Sequence, residues 1–340
     1  SGYTYPINIF VPEGDIPEGG FPVCILLHGN GGNGGGMINQ FKNILDCHIL
    51  VAPSGYSKSW NICDEGSDAP DLEMVDELIN QVQTYSNINP NKIRILGSSN
   101  GAGLANNIFI QNKNSGVDIV CAIVSHLNEP QFHLGNFYVS SSSTDPGAPY
   151  CGYDSLVYPL NSRRYLSISN DNDPIIPYTG GTSVVGVDFL AAETAAFAIA
   201  SYLGYTGNQE ISGTTIGYPE ITEYSYLSGN IVHIKSDAEH GTNSTQREYI
   251  KSYFSDCSIG LGTEQFEKDA LRLYPNPTSD NIFISAPKQL NEVKVYSSNG
   301  VLVMKSNSTH LNISSLADGI YFFEIAFLDS KIIKRKIIKK

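Results

Sequence analysis

Charge is scarce in this sequence of 340 residues, at 16%, and positive charge is scarcer still: 21 Lys and Arg stand against 34 Asp and Glu, a net charge of −13. That balance argues against nucleic acid as a partner, because phosphates select basic faces. No run of about 18 apolar residues occurs, so no segment is expected to insert into a membrane. None of the six cysteines pairs with another at C-x-x-C spacing, which argues against zinc-finger and thioredoxin-like chemistry. The glycine-rich segment after Leu27 is not followed by Gly-Lys-Ser/Thr, so it is not a phosphate loop. Asp64, Glu65, Asp68 and Asp71 fit no regular calcium-loop spacing and read as a solvated acidic loop. No metal or other cofactor is expected. The chain begins at Ser1 without Met or a signal-peptide pattern, which fits a mature or trimmed chain.

With 41% hydrophobic residues the chain is long enough for one large core and a small second one. The charge is uneven. Residues 269–340 hold ten Lys and Arg against six Asp and Glu, a net of +4, which leaves −17 for the rest. This shift marks a boundary. Residues 1–257 are expected to form one domain, 258–268 a linker and 269–340 a small all-β sandwich. The Lys-rich end, with Ile332, Ile333, Ile337 and Ile338 interleaved, reads as a last strand with solvated lysines.

Before the boundary, strand-like and helix-like segments alternate, the pattern of a mostly parallel sheet with helices on both faces. Strands are expected at Phe21 to Leu27, Ile49 to Ala52, Lys92 to Leu96, Ile119 to Val124 and Tyr165 to Ser169. Helices are expected after Asp71, as a cap, and at Ala102 to Gln111, Phe189 to Leu203 and Thr245 to Phe254. Tyr224 to Ile234 reads as a hairpin. Ser140 to Arg164 has no periodicity and is a candidate cap or substrate loop. Cys24 and Cys121 lie in strand-like runs; Cys47, Cys63, Cys151 and Cys257 lie where bridges fit, without a choice among pairings.

The segment carrying chemistry is Gly97-Ser98-Ser99-Asn100-Gly101, between a strand and a helix. A nucleophilic serine must be lifted off a strand end on a strained turn, and flanking glycines make that turn possible. Ser99 is therefore the candidate nucleophile. The acid and base should follow in the order Asp, then His. Asp173, after the strand at Tyr165, is preferred to Asp171 as the acid. His240, after the hairpin, is the candidate base, and His48, His126, His133 and His233 read as structural or surface residues. Oxyanion donors are expected from the amide of Asn100 and from the loop His28-Gly29-Asn30-Gly31-Gly32, with Asn30 favoured by position. Trp60, the only tryptophan, is a candidate apolar wall for substrate.

Leu27-His28-Gly29, Ser59-Trp60-Asn61, Gly97-Ser98-Ser99-Asn100-Gly101 and Asp173-Pro174-Ile175-Ile176-Pro177-Tyr178 occur in the order seen in the polyhydroxybutyrate depolymerase and feruloyl esterase family, which residues 1–257 resemble. The resemblance implies an α/β-hydrolase fold and metal-free ester cleavage by Ser99, Asp173 and His240, with Asn30 and Asn100 on the oxyanion. The sequence departs from the family at Gly241-Thr242-Asn243, where Trp-Pro usually follows the histidine. It departs again at Ser169-Asn170-Asp171-Asn172, where His-Gly is usual. Residues 271–340 resemble the type A sorting domain of the type IX secretion system of Bacteroidetes, through Leu273-Tyr274-Pro275-Asn276-Pro277, Tyr296-Ser297-Ser298-Asn299-Gly300 and Leu316-Ala317-Asp318-Gly319-Ile320-Tyr321. That implies engagement of the secretion machinery and passage through the periplasm to the cell surface or medium. The leading expectation is a secreted serine esterase acting on small or polymeric esters. The alternatives are a secreted serine peptidase and a catalytically silent surface-binding module.

Overall fold

The structure is a computed structural model that describes residues 2–65, 67–255, 271–286, 290–327 and 332–340. The expected linker and Cys257 lie outside the described residues. The chain divides into two units, Ser1–Ser258 and Ile259–Lys340.

In the first unit, β1 (Ile7–Phe10), β2 (Phe21–Leu27), β3 (Ile49–Pro53), β4 (Ile88–Ser98) and β5 (Val117–Ile123) belong to one large sheet. A separate three-stranded sheet follows, made of β6 (Phe132–His133), β7 (Asn136–Ser140) and β8 (Tyr153–Val157). β9 (Arg164–Asn170) rejoins the large sheet; β10 (Gly181–Thr182) and β11 (Asp188–Phe189) form a short hairpin. β12 (Thr214–Ile216), β13 (Ile221–Tyr226) and β14 (Ile231–Ser236) complete the large sheet, whose order is β1-β3-β2-β4-β5-β9-β14-β13-β12. The six strands from β3 to β14 run parallel, and β1, β13 and β12 are antiparallel at the edges.

The central strands are continuous apolar runs because both their faces are covered. Val23, Ile25 and Leu27 of β2 share a core with α2 (Asp71–Val82), α3 (Asn100–Gln111) and α4 (Ala192–Tyr202). Cys24 and Leu26 face the other way, toward α1 (Gly34–Phe41) and α5 (Ser244–Phe254). This is the α/β-hydrolase fold. After β2 the chain builds β3 on one side and β4 on the other, so the C-terminal ends of β2 and β4 flank a crevice at the switch in strand order.

Three expectations need correcting. Asp71 does not cap α2: Pro70 holds that position, and Asp71 Oδ2 instead accepts from the Asn61 amide at 2.6 Å. The stretch from Ser140 to Arg164 is not structureless, for it includes a short 3₁₀ turn (Pro149–Gly152) and β8. The edge strands β1 and β12 went unexpected because they are short and carry few buried residues.

Two histidines lie buried in the layer beside α4. His126 donates from Nε2 to the Leu190 carbonyl (2.8 Å) and accepts at Nδ1 from Ser169 Oγ (3.1 Å). His233 donates to the hydroxyl of Tyr178 (3.0 Å), which donates on to Glu193 (2.9 Å). Loss of solvent pushes His126 down to about 4 and His233 to about 3. Both fold neutral, whereas the unfolded chain takes up their protons near the ordinary value of 6.5. Stability is therefore full above about pH 6.5 and falls as acid titrates the unfolded state toward pH 4 and 3. His126→Gln is expected to remove about 2 kcal/mol of the loss incurred between neutral pH and pH 5. Melting curves of both proteins at the two pH values check this; an unchanged acid sensitivity would count against it.

The second unit is all β: β15 (Arg272–Tyr274), β16 (Asn281–Ser285) and β19 (His310–Asn312) form one sheet, and β17 (Leu290–Ser297), β18 (Leu302–Ser306), β20 (Gly319–Phe327) and β21 (Ile332–Lys339) the other. Ile282, Ile284 and Leu311 from the first meet Val293, Val295, Phe323, Ile325, Ile333 and Ile337 from the second, which makes a sandwich core. Among the described residues no helix is long and apolar enough to cross a membrane.

Candidate active site

β4 runs to Ser98, α3 begins at Asn100, and Ser99 between them sits at φ 53°, ψ −121°, a strained conformation for a residue with a side chain. The two glycines are steric requirements. A Cβ on Gly97 would lie 2.0 Å from the Gly101 carbonyl oxygen, and one on Gly101 would lie 2.3 Å from that of Leu27. The Ser99 amide is anchored on the Ile123 carbonyl at 2.8 Å. The amides of Asn100 and Gly101 open α3, where no intrahelical acceptor exists. Their partial positive charge faces the serine side of the crevice.

Ser99, His240 and Asp173 come together from three loops at one end of the sheet. Ser99 Oγ lies 2.8 Å from His240 Nε2, and His240 Nδ1 lies 2.8 and 3.0 Å from the two oxygens of Asp173. The Asp173 side chain is 2% exposed and that of His240 24%, so the carboxylate is sealed while the ring stays partly exposed. Asp173 Oδ1 also accepts from the amides of Ile175 (2.8 Å) and Ile176 (3.1 Å), which fixes its rotamer. Asp171, the rival acid, is exposed and makes no bond to the ring; its amide donates to Ser236.

The loop after β2 passes close to the serine: a Cβ on Gly29 would lie 3.3 Å from Ser99 Cβ. His28 shapes it. Its Nε2 accepts from the Gly55 amide (2.9 Å), so Nδ1 carries the proton and donates to Gly29 O at 2.7 Å. Burial pushes His28 below its ordinary value, which keeps this tautomer neutral. Asn30 follows on the cleft wall, as does Asn100.

Trp60 is placed differently from the expectation. Its side chain is fully buried, its indole N–H donates to the His28 carbonyl (2.7 Å), and it takes no part in the cleft lining. It holds the loop after β2 instead of lining the cleft.

The cleft over Ser99 has a volume of about 290 Å³, with Ile62, Ile175, Ile176, Val187 and Phe189 as apolar walls. Glu65 and Asp64 also line it, and no Lys or Arg does among the described residues. Glu65 is not the solvated carboxylate the sequence suggested, for it is partly buried and hydrogen-bonded through both oxygens. Its Oε2 accepts from the amides of Ile62 (2.9 Å) and Cys63 (2.6 Å), and its Oε1 from Asn100 Nδ2 (3.2 Å). Burial raises its pKa against these bonds, which favour the charged form. Asn100 Oδ1 in turn accepts from the Trp60 amide at 2.7 Å. Cys63 bonds Cys151 in a disulfide that ties this wall to the 3₁₀ turn before β8. Cys47 is disulfide-bonded too, while Cys24 and Cys121 are free and buried. Among the described residues no group of His, Cys, Asp or Glu has the arrangement of a metal site.

Residues 272–340 match the secretion system C-terminal sorting domain family. The sorting domain coincides with the β-sandwich unit and marks the chain for type IX secretion to the cell surface or the extracellular space. No curated protein matches the sequence. Among solved structures, a carboxylesterase of Bacillus cereus is 12% identical, covering 74% of this chain and 94% of its own, with a TM-score of 0.47. A phospholipase/carboxylesterase from Dyadobacter fermentans is 12% identical over 75% and 98% of the two chains, with a TM-score of 0.47. An acetyl xylan esterase from Aspergillus awamori is 11% identical over 73% and 93%, with a TM-score of 0.47. The fold assignment stands on the strand order and helix layers described above.

Proposed function

We propose that this chain is a secreted serine carboxylic-ester hydrolase, with residues 1–257 catalytic and residues 269–340 engaging the type IX secretion machinery. The observation that carries the reading is the continuous hydrogen-bonded line from Ser99 through His240 to a sealed Asp173, opening on a cleft. In the reaction, His240 Nε2 takes the Ser99 proton as Oγ attacks the ester carbonyl. The amides of Asn30 and Asn100 hold the oxyanion, each donor lowering the barrier by about 3 kcal/mol. The protonated ring then gives its proton to the leaving alcohol. Water, activated by the same ring, releases the acid from the acyl-enzyme and restores Ser99.

Export suits substrates outside the cell, such as feruloyl or acetyl esters of polysaccharides, or polyesters such as polyhydroxybutyrate. The cleft narrows the choice by charge. Asp64 and Glu65 line it with no Lys or Arg beside them among the described residues, so esters with a free carboxylate on the acyl chain are disfavoured. Methyl hexanoate, monomethyl adipate and methyl 6-aminohexanoate test this at nearly constant chain length. At low salt, kcat/KM for the anionic ester is expected to lie about tenfold below that for the neutral one. The gap should narrow in Asp64→Asn and with added salt. Equal rates for the anionic and neutral esters would remove the charge argument, and absence of Ser99-dependent hydrolysis of all three would remove the esterase reading.

A further inference from the structure

The backbone that presents His240 is held in a conformation that side-chain-bearing residues seldom adopt: Glu239, just before it, sits at φ 50°, in the left-handed region. Two asparagines at and just beyond the end of β9 hold it there. Asn170 is wholly buried. Its Nδ2 donates to the carbonyls of Glu239 (2.6 Å) and Gly241 (2.9 Å), one on each side of the histidine. Its Oδ1 accepts from Ser236 Oγ (2.7 Å) and from Gln246 Nε2 (2.9 Å). Every hydrogen-bonding position of that amide is used. Asn172 completes the hold: its Oδ1 accepts from the Glu239 amide (2.9 Å), and its Nδ2 donates to the Asp237 carbonyl (2.8 Å). Glu239 is thus gripped at both its N–H and its C=O. Gln246 also belongs to the capping box that opens α5, so the helix is tied to the same point.

We propose that Asn170 and Asn172 are positioning residues that fix the backbone on both sides of His240 and thereby set the reach of Nε2 to Ser99 Oγ. This rests on reading Ser99, His240 and Asp173 as a catalytic triad. Asp173 alone holds only Nδ1, and a ring held at one atom can pivot about it. Holding the carbonyls before and after the histidine removes that pivot. The residue type follows from the chemistry: two carbonyls need the two hydrogens of one –NH₂, and an aspartate would set an oxygen against both. Neither asparagine lines the cleft, so the loss falls on kcat and leaves KM alone.

The test uses the whole chain with methyl hexanoate, and counts working sites by the end point of p-nitrophenol release from diethyl p-nitrophenyl phosphate. Asn170→Asp, nearly isosteric, is expected to lower kcat per titrated site by about tenfold to a hundredfold with KM within about twofold. Asn172→Ala, at an exposed position, should lower it by about threefold to tenfold in the same manner. A merely structural role gives fewer titratable sites and an earlier melt with kcat per site unchanged, and that result overturns the proposal. If Asn170→Asp does not fold, Asn172→Ala decides alone: kcat per site within about twofold of wild type overturns it. Wild-type turnover that persists in Ser99→Ala overturns the triad reading beneath it, a distinct failure.

Discussion

Alanine at position 99 is expected to leave a folded protein whose ester hydrolysis is lower by about four orders of magnitude or more. The expectation follows from the way the site is built. Removing Oγ takes away the hydroxyl that lies within hydrogen-bond distance of His240 Nε2 at the turn between β4 and α3. On the proposed mechanism only the oxyanion donors are left, and they lower the barrier for a nucleophile that must now come from water. Folding should survive, because the turn is imposed by Gly97, Gly101 and the Ser99 backbone rather than by the hydroxyl. Steady-state hydrolysis of a neutral methyl ester, with a melting curve on the same sample, makes the measurement. A loss of less than about tenfold would assign the chemistry to another residue.

The largest effect on stability is expected at Arg163, which touches no substrate. Its guanidinium is buried and donates to the carbonyls of Ile108 and Phe109 (both 3.1 Å), Asn114 (3.0 Å) and Val117 (3.3 Å) and to Asn112 Oδ1 (2.6 Å). Ile108 and Phe109 are in the last turn of α3, whose carbonyls carry the negative end of the helix dipole. Burial draws the guanidinium down to about 10, opposed by Asp76, so it stays charged at neutral pH. Arg163→Ala would remove five hydrogen bonds of a buried charged group at once and is expected to cost about 4 kcal/mol. Urea unfolding followed by the fluorescence of Trp60 reports on the first unit alone, since it holds the only tryptophan. A shift equivalent to less than about 1 kcal/mol would mean that water replaces the guanidinium.

The parts of this molecule legible in its sequence are those with a local cause. Apolar runs such as Phe21 to Leu27 are strands because both faces are covered, and Gly97 and Gly101 are glycine because the turn admits no Cβ. The order of Ser99, Asp173 and His240 follows from loops at one end of a parallel sheet, and the fold brings the three within hydrogen-bond distance. Features that depend on distant chain were not legible. Trp60 reads equally well as a cleft wall or a prop until its indole is seen on the His28 carbonyl. Glu65 looked like one more solvated carboxylate, and only folding brings Asn100 to it. Asn170 and Asn172 were visible as a departure from the family pattern, but their partners lie more than sixty positions on, at residues 236–246. The pairing of Cys63 with Cys151 could not be chosen among the alternatives for the same reason.

That bridge has a consequence for a protein working outside the cell, among proteases. It closes a ring of chain spanning 88 positions, and Ser99 lies inside the ring. The exposed Ser- and Gly-rich segment from Ser141 to Gly147 lies inside it as well, the kind of segment where nicking concentrates. A single cut there leaves two pieces that stay covalently joined through Cys63 and Cys151. Ser99 then remains attached to the fragment that carries Asp173 and His240, and a nicked molecule need not be a lost one.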